Sequence, residues 1–295
     1  MAELALERPM QRPSRWIAAL RRGGPKLWIG ATLVGVLVLV ALLAPLIAPH
    51  NPIEQDLMSA QLPPAWSAGG EPAYLFGTDS LGRCVLSRLI YSARTAVAVA
   101  LIAASLAAAI GIAFGLIAGS FGGWVDRATS RLIDVWMAFP PVLLSIVLAA
   151  VIGAGLTSVI AAIVVVDWTR FARVVRAETM VQLQRDYAAA ARVIGLSRGG
   201  ILRLEILPNL IPLVVTLLAV EMGIAILVEV ILSFVGISVA GDTPTWGGMI
   251  AEGRQIVYQA PWIMALPIGC IISSVIGFNL LGDGLRLVLD PVQRQ

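Results

Sequence analysis

Four acidic residues lie within apolar stretches of this chain, where an ionised carboxylate is costly and is usually retained for a function. They are Asp134, Asp167, Glu221 and Glu229. Arg131 lies three residues before Asp134, and Arg170 lies three residues after Asp167. This spacing favours ion pairing along one helix. We therefore expect two structural ion pairs, Arg131–Asp134 and Asp167–Arg170, near the membrane interface.

Glu221 and Glu229 lie deeper in their apolar stretch and eight residues apart. Eight residues correspond to two helical turns plus about 80°, so both side chains share one face of a helix. We expect this face to line a solute pathway, where carboxylates would favour cationic solutes or an amino terminus. An equally good interpretation is that both are buried glutamates, satisfied by neighbouring helices.

The other reactive side chains are few and do not form a catalytic or metal-binding pattern. The chain has one histidine, His50, and two cysteines, Cys84 and Cys270. We expect free thiols and no zinc site, because the ligand spacing is absent. There is no H-E-x-x-H, and the single histidine lies outside the predicted spans, which argues against a membrane hydrolase. The single lysine, Lys26, has no phosphate-binding loop around it, so we expect no nucleotide site of that type in this chain.

The composition is that of a chain whose solvent is largely lipid. The hydrophobic fraction is 58% and the charged fraction only 13%, half of what a soluble domain carries. The arginines cluster between apolar blocks instead of forming the basic face of a nucleic-acid binder. The first apolar run, 28–49, is longer than a signal-peptide core, so we expect an uncleaved membrane anchor.

The apolar blocks predict an all-α, polytopic membrane protein with six spans. The predicted spans are 28–49, 93–118, 132–152, 156–174, 208–236 and 262–282. The run 132–166 is too long for one span, and we place a turn at Gly153-Ala154-Gly155. Pro140-Pro141 predicts a kink in the third span. In the second span, Gly111, Gly115 and Gly119 are spaced to let another helix approach closely.

The basic residues predict the topology. Seventeen of the 21 lie on one side of the predicted spans, which the positive-inside rule assigns to the cytoplasm. The four exceptions are Arg83, Arg88, Arg94 and Arg254. Both termini are then cytoplasmic, and the loops 50–91 and 237–261 face outward. The predicted cytoplasmic parts are the N-terminal segment 1–27, the connection 177–207 and the tail 285–295, and the predicted core of the protein is 92–284.

The connection 177–207 is polar, yet its pattern predicts a helix, a glycine turn at Gly195, a cap at Ser197 and a second helix ended by Pro208. A stiff helix pair beneath the bilayer could dock a soluble partner and transmit force to the attached spans. A connector lying on the membrane surface is the alternative.

The residues of this connection resemble the EAA loop of bacterial ABC importer permeases. The similarity runs through Asp186-Tyr187-Ala188-Ala189-Ala190-Ala191-Arg192-Val193-Ile194-Gly195 and Glu205-Ile206-Leu207-Pro208-Asn209. Ala189 replaces the motif's glutamate, and Glu205 replaces a hydrophobic residue or histidine. The resemblance assigns ATPase coupling to Asp186, Tyr187, Ala189, Ala190, Ala191, Gly195, Leu207 and Pro208.

The resemblance extends over 75–292 and is specific to the dipeptide/oligopeptide/nickel permease subfamily, in its C-type member. The runs that carry it are Phe76-Gly77-Thr78-Asp79-Ser80-Leu81-Gly82-Arg83, Phe121-Gly122-Gly123-Trp124, Leu232-Ser233-Phe234-Val235-Gly236, Pro244-Thr245-Trp246-Gly247-Gly248-Met249 and Leu289-Asp290-Pro291.

This resemblance implies a type I ABC importer permease in the bacterial inner (plasma) membrane, with no catalytic residue or cofactor of its own. The implied partners are a second, B-type permease, two ABC ATPases that bind ATP, and an extracytoplasmic solute-binding protein. Peptides are the implied substrate, with nickel chelates, glutathione and opines as alternatives. An ATP-independent channel or carrier is a more distant alternative, because it would not need the connection 177–207.

Overall fold

The computed structural model describes residues 23–237 and 243–289, and these are mostly helical. The helices are α1 (Gly24–Ile47), α2 (Val85–Phe121), α3 (Gly123–Met137), α4 (Pro141–Ile152), α5 (Leu156–Gln182), α6 (Asp186–Val193), α7 (Arg198–Ile201), α8 (Leu207–Phe234), α9 (Trp246–Gln255) and α10 (Trp262–Leu289). A π turn, Leu202–Ile206, joins α7 to α8.

Some of the expected features fall outside these ranges. They are the arginines of 1–22, residues 238–242 of the predicted outer loop, and the end of the tail, which includes Asp290, Pro291 and Arg294.

Four helical stretches of the described chain are long and apolar enough to cross a membrane. They are Gly24–Ile47, Val85–Phe121, Arg198–Phe234 and Trp262–Leu289. Together α3 and α4 make a fifth if the bent pair counts as one span. The helix α5 has 27 residues but carries Asp167, Arg170 and Arg173, so its crossing, and the total of six, stay predictions.

The third predicted span, 132–152, is not a single helix. The chain bends by 85° between α3, which starts at Gly123, and α4. The cause is local: Pro140 and Pro141 have no N–H to continue the helical bonds. Several helices also run beyond their predicted spans, because polar residues can continue a helix outside the hydrocarbon region. These are α2, which starts at Val85, α5, which ends at Gln182, and α10, which ends at Leu289.

The spacing of glycines on α2 marks its contact with α5, as predicted. A Cβ atom at Gly115 would lie 2.8 Å from the Cβ of Val175, and one at Gly119 would lie 2.8 Å from the Cβ of Thr179. A Cβ at Gly111 would collide with Phe171. Only glycine therefore allows these two backbones to come so close.

Three of the apolar clusters among the described residues hold most of the helices together. One joins α1, α2, α8, α9 and α10 around Ile226 and Phe278. A second joins α2, α4, α5 and α8 around Ile163. The third lies under the predicted cytoplasmic connection and joins α5 to α6, α7 and the start of α8. The connection is thus packed into the helical bundle.

We expect Gly115→Ala to lower stability by about 1–3 kcal/mol, because the added methyl overpacks the α2–α5 contact. Gly269→Ala is the matched control, since Gly269 is helical and nothing lies within 4 Å of its virtual Cβ. Thermal unfolding of the purified proteins in lipid nanodiscs measures the difference. Equal melting temperatures for the two variants would contradict the close contact.

Candidate functional site

The residues of the EAA-like segment form a compact helical unit. The helix α6 begins at Asp186, four residues after α5 ends, and has Arg192 in its last turn. Gly195 has φ of +87°, a conformation that favours glycine, and turns the chain toward α7. Ser197 caps α7, since its hydroxyl accepts a hydrogen bond from the N–H of Gly200 at 3.2 Å. The predicted helix, turn and cap are therefore present.

The alanines of the unit divide between two faces. Ala188 and Ala191 are buried against a cluster from α5, α7, the π turn and α8, namely Val175, Ile201, Ile206 and Leu210. Ala189, Ala190 and Gly195 are exposed on the opposite side. The small size of Ala188 and Ala191 allows α6 to pack closely against the bundle. The small size of Ala189, Ala190 and Gly195 leaves the exposed side of the unit without protruding side chains, so a partner could approach it closely.

Two large apolar residues extend this exposed surface. Val193 and Ile194 at the end of α6 are among the most exposed hydrophobic side chains of the described chain. Apolar side chains so exposed on a polar segment are typical of a protein-interaction surface. We define the docking face as Ala189, Ala190, Val193, Ile194 and Gly195.

Tyr187 fixes α6 to the end of α5. Its hydroxyl donates a hydrogen bond to the side-chain oxygen of Gln182. Burial raises the pKa of the Tyr187 phenol above its usual range, so the group stays a protonated donor. This hydrogen bond ties the first turn of α6 to the last residue of α5.

The prediction that Pro208 ends the unit is wrong. Leu207 and Pro208 are exposed residues in the first turn of α8, and the helix continues without interruption from α7. The helical bonding reaches Pro208 through the π turn, in which the N–H of Leu207 bonds to the carbonyl of Leu202. Pro208 then lies in the first turn of the regular α-helix, where proline is tolerated. The unit and α8 therefore form one continuous rod.

Three charged side chains meet between α5 and α8. The guanidinium of Arg170 lies 3.3 Å from the carboxylate of Glu221 and 3.8 Å from that of Asp167. The predicted Asp167–Arg170 pair is therefore confirmed, and Glu221 joins it. Both acids are buried, while Arg170 is partly exposed.

The predicted Arg131–Asp134 pair is wrong. Asp134 pairs instead with Arg173 of α5 at 3.1 Å, and Asp126 pairs with Arg176 at 2.9 Å. An arginine side chain is long enough to reach a neighbouring helix, so spacing along one helix did not decide its partner. The arginines of α5 thus hold both α3 and α8.

Glu221 and Glu229 are 0% and 1% exposed, so neither carboxylate opens onto a surface of the chain in this structure. Glu229 accepts a hydrogen bond from the hydroxyl of Ser233. Their place on a solute pathway stays a prediction, and it requires the surrounding helices to part.

A second charge cluster, which the sequence analysis did not find, lies at the opposite end of the bundle. Asp79 and Glu252 surround the guanidinium groups of Arg83 and Arg88, with Arg83 at 2.8 Å from Asp79 and 2.9 Å from Glu252. We call these four residues the outer clasp. Only Glu252 is substantially exposed. The clasp joins α9 to the start of α2 across more than 160 residues, a separation that no local pattern reveals.

The turn that precedes α2 holds the Asp79 carboxylate in position for the outer clasp. The carboxylate of Asp79 also accepts hydrogen bonds from the N–H groups of Leu81 and Arg83, at 2.9 and 3.0 Å. Gly82, with φ of +74°, completes the turn. Trp246 of α9 then donates its indole N–H to the carbonyl of Leu89 at 3.2 Å.

We expect Arg88→Met to destabilise the protein by about 3–5 kcal/mol, because it leaves buried Asp79 with reduced charge compensation. Arg94→Met is the control, since Arg94 is an exposed arginine on the same helix. Yield and melting temperature after purification test this. A melting temperature for Arg88→Met equal to that of Arg94→Met would show that the clasp does not stabilise the fold.

Comparison with known proteins places this geometry in context. Residues 111–295 match the family model described as "Binding-protein-dependent transport system inner membrane component". Residues 26–64 match the "N-terminal TM domain of oligopeptide transport permease C".

Individual relatives cover nearly the whole chain. A dipeptide transport system permease protein DppC from Haemophilus influenzae is 41% identical over 273 residues, 90% of both chains. The Escherichia coli K12 protein of the same name is 38% identical over 90% of this chain and 89% of its own. A glutathione transport system permease protein GsiD from Shigella dysenteriae is 38% identical over 88% of this chain and 84% of its own.

Proposed function

The chain belongs to the family of binding-protein-dependent transport system inner membrane components, and on that premise we propose that it moves dipeptides across the membrane. The observation that carries the substrate is the match over 90% of the chain to permeases named for dipeptide transport. The relative named for glutathione, itself a small peptide, supports the same substrate class.

The chain would work as one half of a two-permease pathway. Its proposed partners are a B-type permease, two ABC ATPases and an extracytoplasmic binding protein that delivers the peptide. ATP would be bound and hydrolysed by the ATPases. The docking face supports this assignment, because it offers small and apolar side chains on a unit fixed to the bundle.

The contacts of the unit suggest how force would reach the pathway. Closure of the ATPases would push on α6, which is held to the end of α5 by Tyr187 and Gln182. The same push would reach α8 through α7 and the continuous π turn. Tilting α5 and α8 together would expose the pathway to one side of the membrane and then the other.

The proposed location is the bacterial inner membrane, with both termini in the cytoplasm. The asymmetry of the basic residues supports this orientation. We call α6, α7 and the π turn, residues 186–206, the coupling unit. In this orientation the coupling unit would lie in the cytoplasm, and the outer clasp would lie at the external end.

A bulky substitution on the docking face tests whether this surface binds the ATPase. We expect Ala190→Trp to reduce ATPase co-purification and ATP-dependent dipeptide uptake by about tenfold or more, a loss of roughly 1.4 kcal/mol in binding. The bulky ring would hold the partner away while leaving the exposed position folded. Proteoliposomes containing the full transporter, loaded binding protein and labelled dipeptide provide the assay.

Ala68→Trp is the matched control, since Ala68 is an exposed alanine in the predicted outer loop. Normal uptake by Ala190→Trp would reject the docking face. A failure of the unaltered transporter to accumulate any dipeptide would instead reject the substrate.

The buried glutamates have their own test. If Glu221 and Glu229 face the pathway when the helices part, Glu221→Gln and Glu229→Gln should each weaken uptake of cationic peptides more than of neutral ones. Concentration-dependent uptake by each variant measures this. The pathway role is removed if both variants keep the unaltered affinity and rate for both kinds of peptide.

A further inference from the structure

The break between α3 and α4 leaves backbone groups without helical partners. In a continuous helix, the carbonyls of Trp136 and Met137 would accept bonds from residues 140 and 141, but both of these are prolines. The Trp136 carbonyl receives a long bond of 3.4 Å from the N–H of Phe139. For Met137, neither the third nor the fourth residue onward has an N–H to donate.

This break lies far from either membrane surface. The indole N–H of Trp136 donates to the carbonyl of Val165 on α5 at 2.5 Å. Val165 is nine residues from the first residue of α5, or about 14 Å along the axis of a helix that would cross a bilayer of about 30 Å. The break is therefore near the middle of the bilayer.

The same region is exposed on the surface of this chain. Residues 138–140 are exposed, and the Phe139 side chain is 56% exposed. Irregular backbone at membrane depth is tolerated only where protein covers it or where it lines a water-filled cavity, because lipid cannot satisfy its polar groups. The surface at the break therefore cannot face lipid tails.

Neighbouring charges give an independent argument for the same face. The Asp134–Arg173 pair joins α3 to α5 on the α3 side of the break, toward the predicted cytoplasmic end of the span, and its side chains are 62% and 51% exposed. Arg170 is partly exposed one turn deeper. Exposed charges within a span face water or protein. Asp134 and Arg173 have hydrogen-bonding capacity beyond the ion pair that they share, and Arg170, which contacts both Asp167 and Glu221, carries five N–H donors in all.

We propose that the broken span, with Asp134, Arg170 and Arg173, lines the water-filled path and binds the two charged ends of a short peptide. This rests on the proposed function and names the surface that carries it out. The free Met137 carbonyl and the Asp134 carboxylate accept hydrogen bonds from the peptide's ammonium group. Arg170 and Arg173 receive its carboxylate. A solute without charged ends gains neither contact.

The chain offers a matched pair of positions for a test by cysteine labelling. Phe139→Cys and Leu39→Cys are placed in a chain whose two cysteines, both free, are replaced by Cys84→Ala and Cys270→Ala. Leu39 lies well inside α1 and is 57% exposed, almost the same as Phe139. Each variant is assembled into the full transporter in membrane vesicles and treated with a membrane-impermeant methanethiosulfonate reagent.

We expect the cysteine at position 139 to react about tenfold faster than that at 39, because only the former meets water. Millimolar Ala-Ala should slow this reaction severalfold, whereas N-acetyl-Ala-Ala-amide, which lacks both charges, should not. Ala138→Cys, at an exposed small residue, serves as the second variant if Phe139→Cys does not assemble.

Equal, slow labelling at 139 and 39 would overturn the proposal and indicate that the partner permease or lipid covers the break. Fast labelling without protection by Ala-Ala would overturn the peptide site. Uptake by the unaltered transporter separates these results from the proposed function: if it imports Ala-Ala while either result is found, only the inference about the break fails.

Discussion

The hydrocarbon core of a bilayer offers no hydrogen bonds, and this constraint shapes how charged groups within the apolar helices are paired. The arginines of α5 show it most clearly. Arg170 compensates two buried acids, while Arg173 and Arg176 reach acids on α3. Polar residues that would be unfavourable in lipid therefore hold helices together, and α5 connects α3 and α8 to the coupling unit.

Different interactions hold the helices together at the two ends of the bundle, namely apolar packing at one end and ion pairs at the other. At the coupling unit, Ala188 and Ala191 make close apolar contacts, so the unit is held by shape. At the outer clasp, charges of opposite sign hold α9 to α2. Apolar packing tolerates small sliding movements between helices, whereas a buried ion cluster is costly to open. A movement of the kind proposed for the coupling unit would therefore leave the end that holds the clasp in place.

Local chemistry made much of this structure predictable. Gly111, Gly115 and Gly119 indicated the close helix contact, and Gly195 with Ser197 indicated the turn and cap, because each depends on backbone sterics or nearby atoms. The partners of Asp134 and Glu252 were not predictable, since long side chains choose among helices that only the fold brings together. Pro140-Pro141 predicted a kink in this span, but the residue pattern alone does not set its angle, which is 85°.

The π turn at Leu202–Ile206 changes which side chains point the same way along the continuous helix formed by α7 and α8. A π turn holds one residue more than an α turn, which offsets the side-chain register on its two sides by about 100°. The hydrophobic stripe of α8 therefore cannot be extended backward to find the inward side of α7. Because of this offset, the segment proposed to meet the ATPase and the predicted membrane-spanning segment can each orient their own apolar stripe independently.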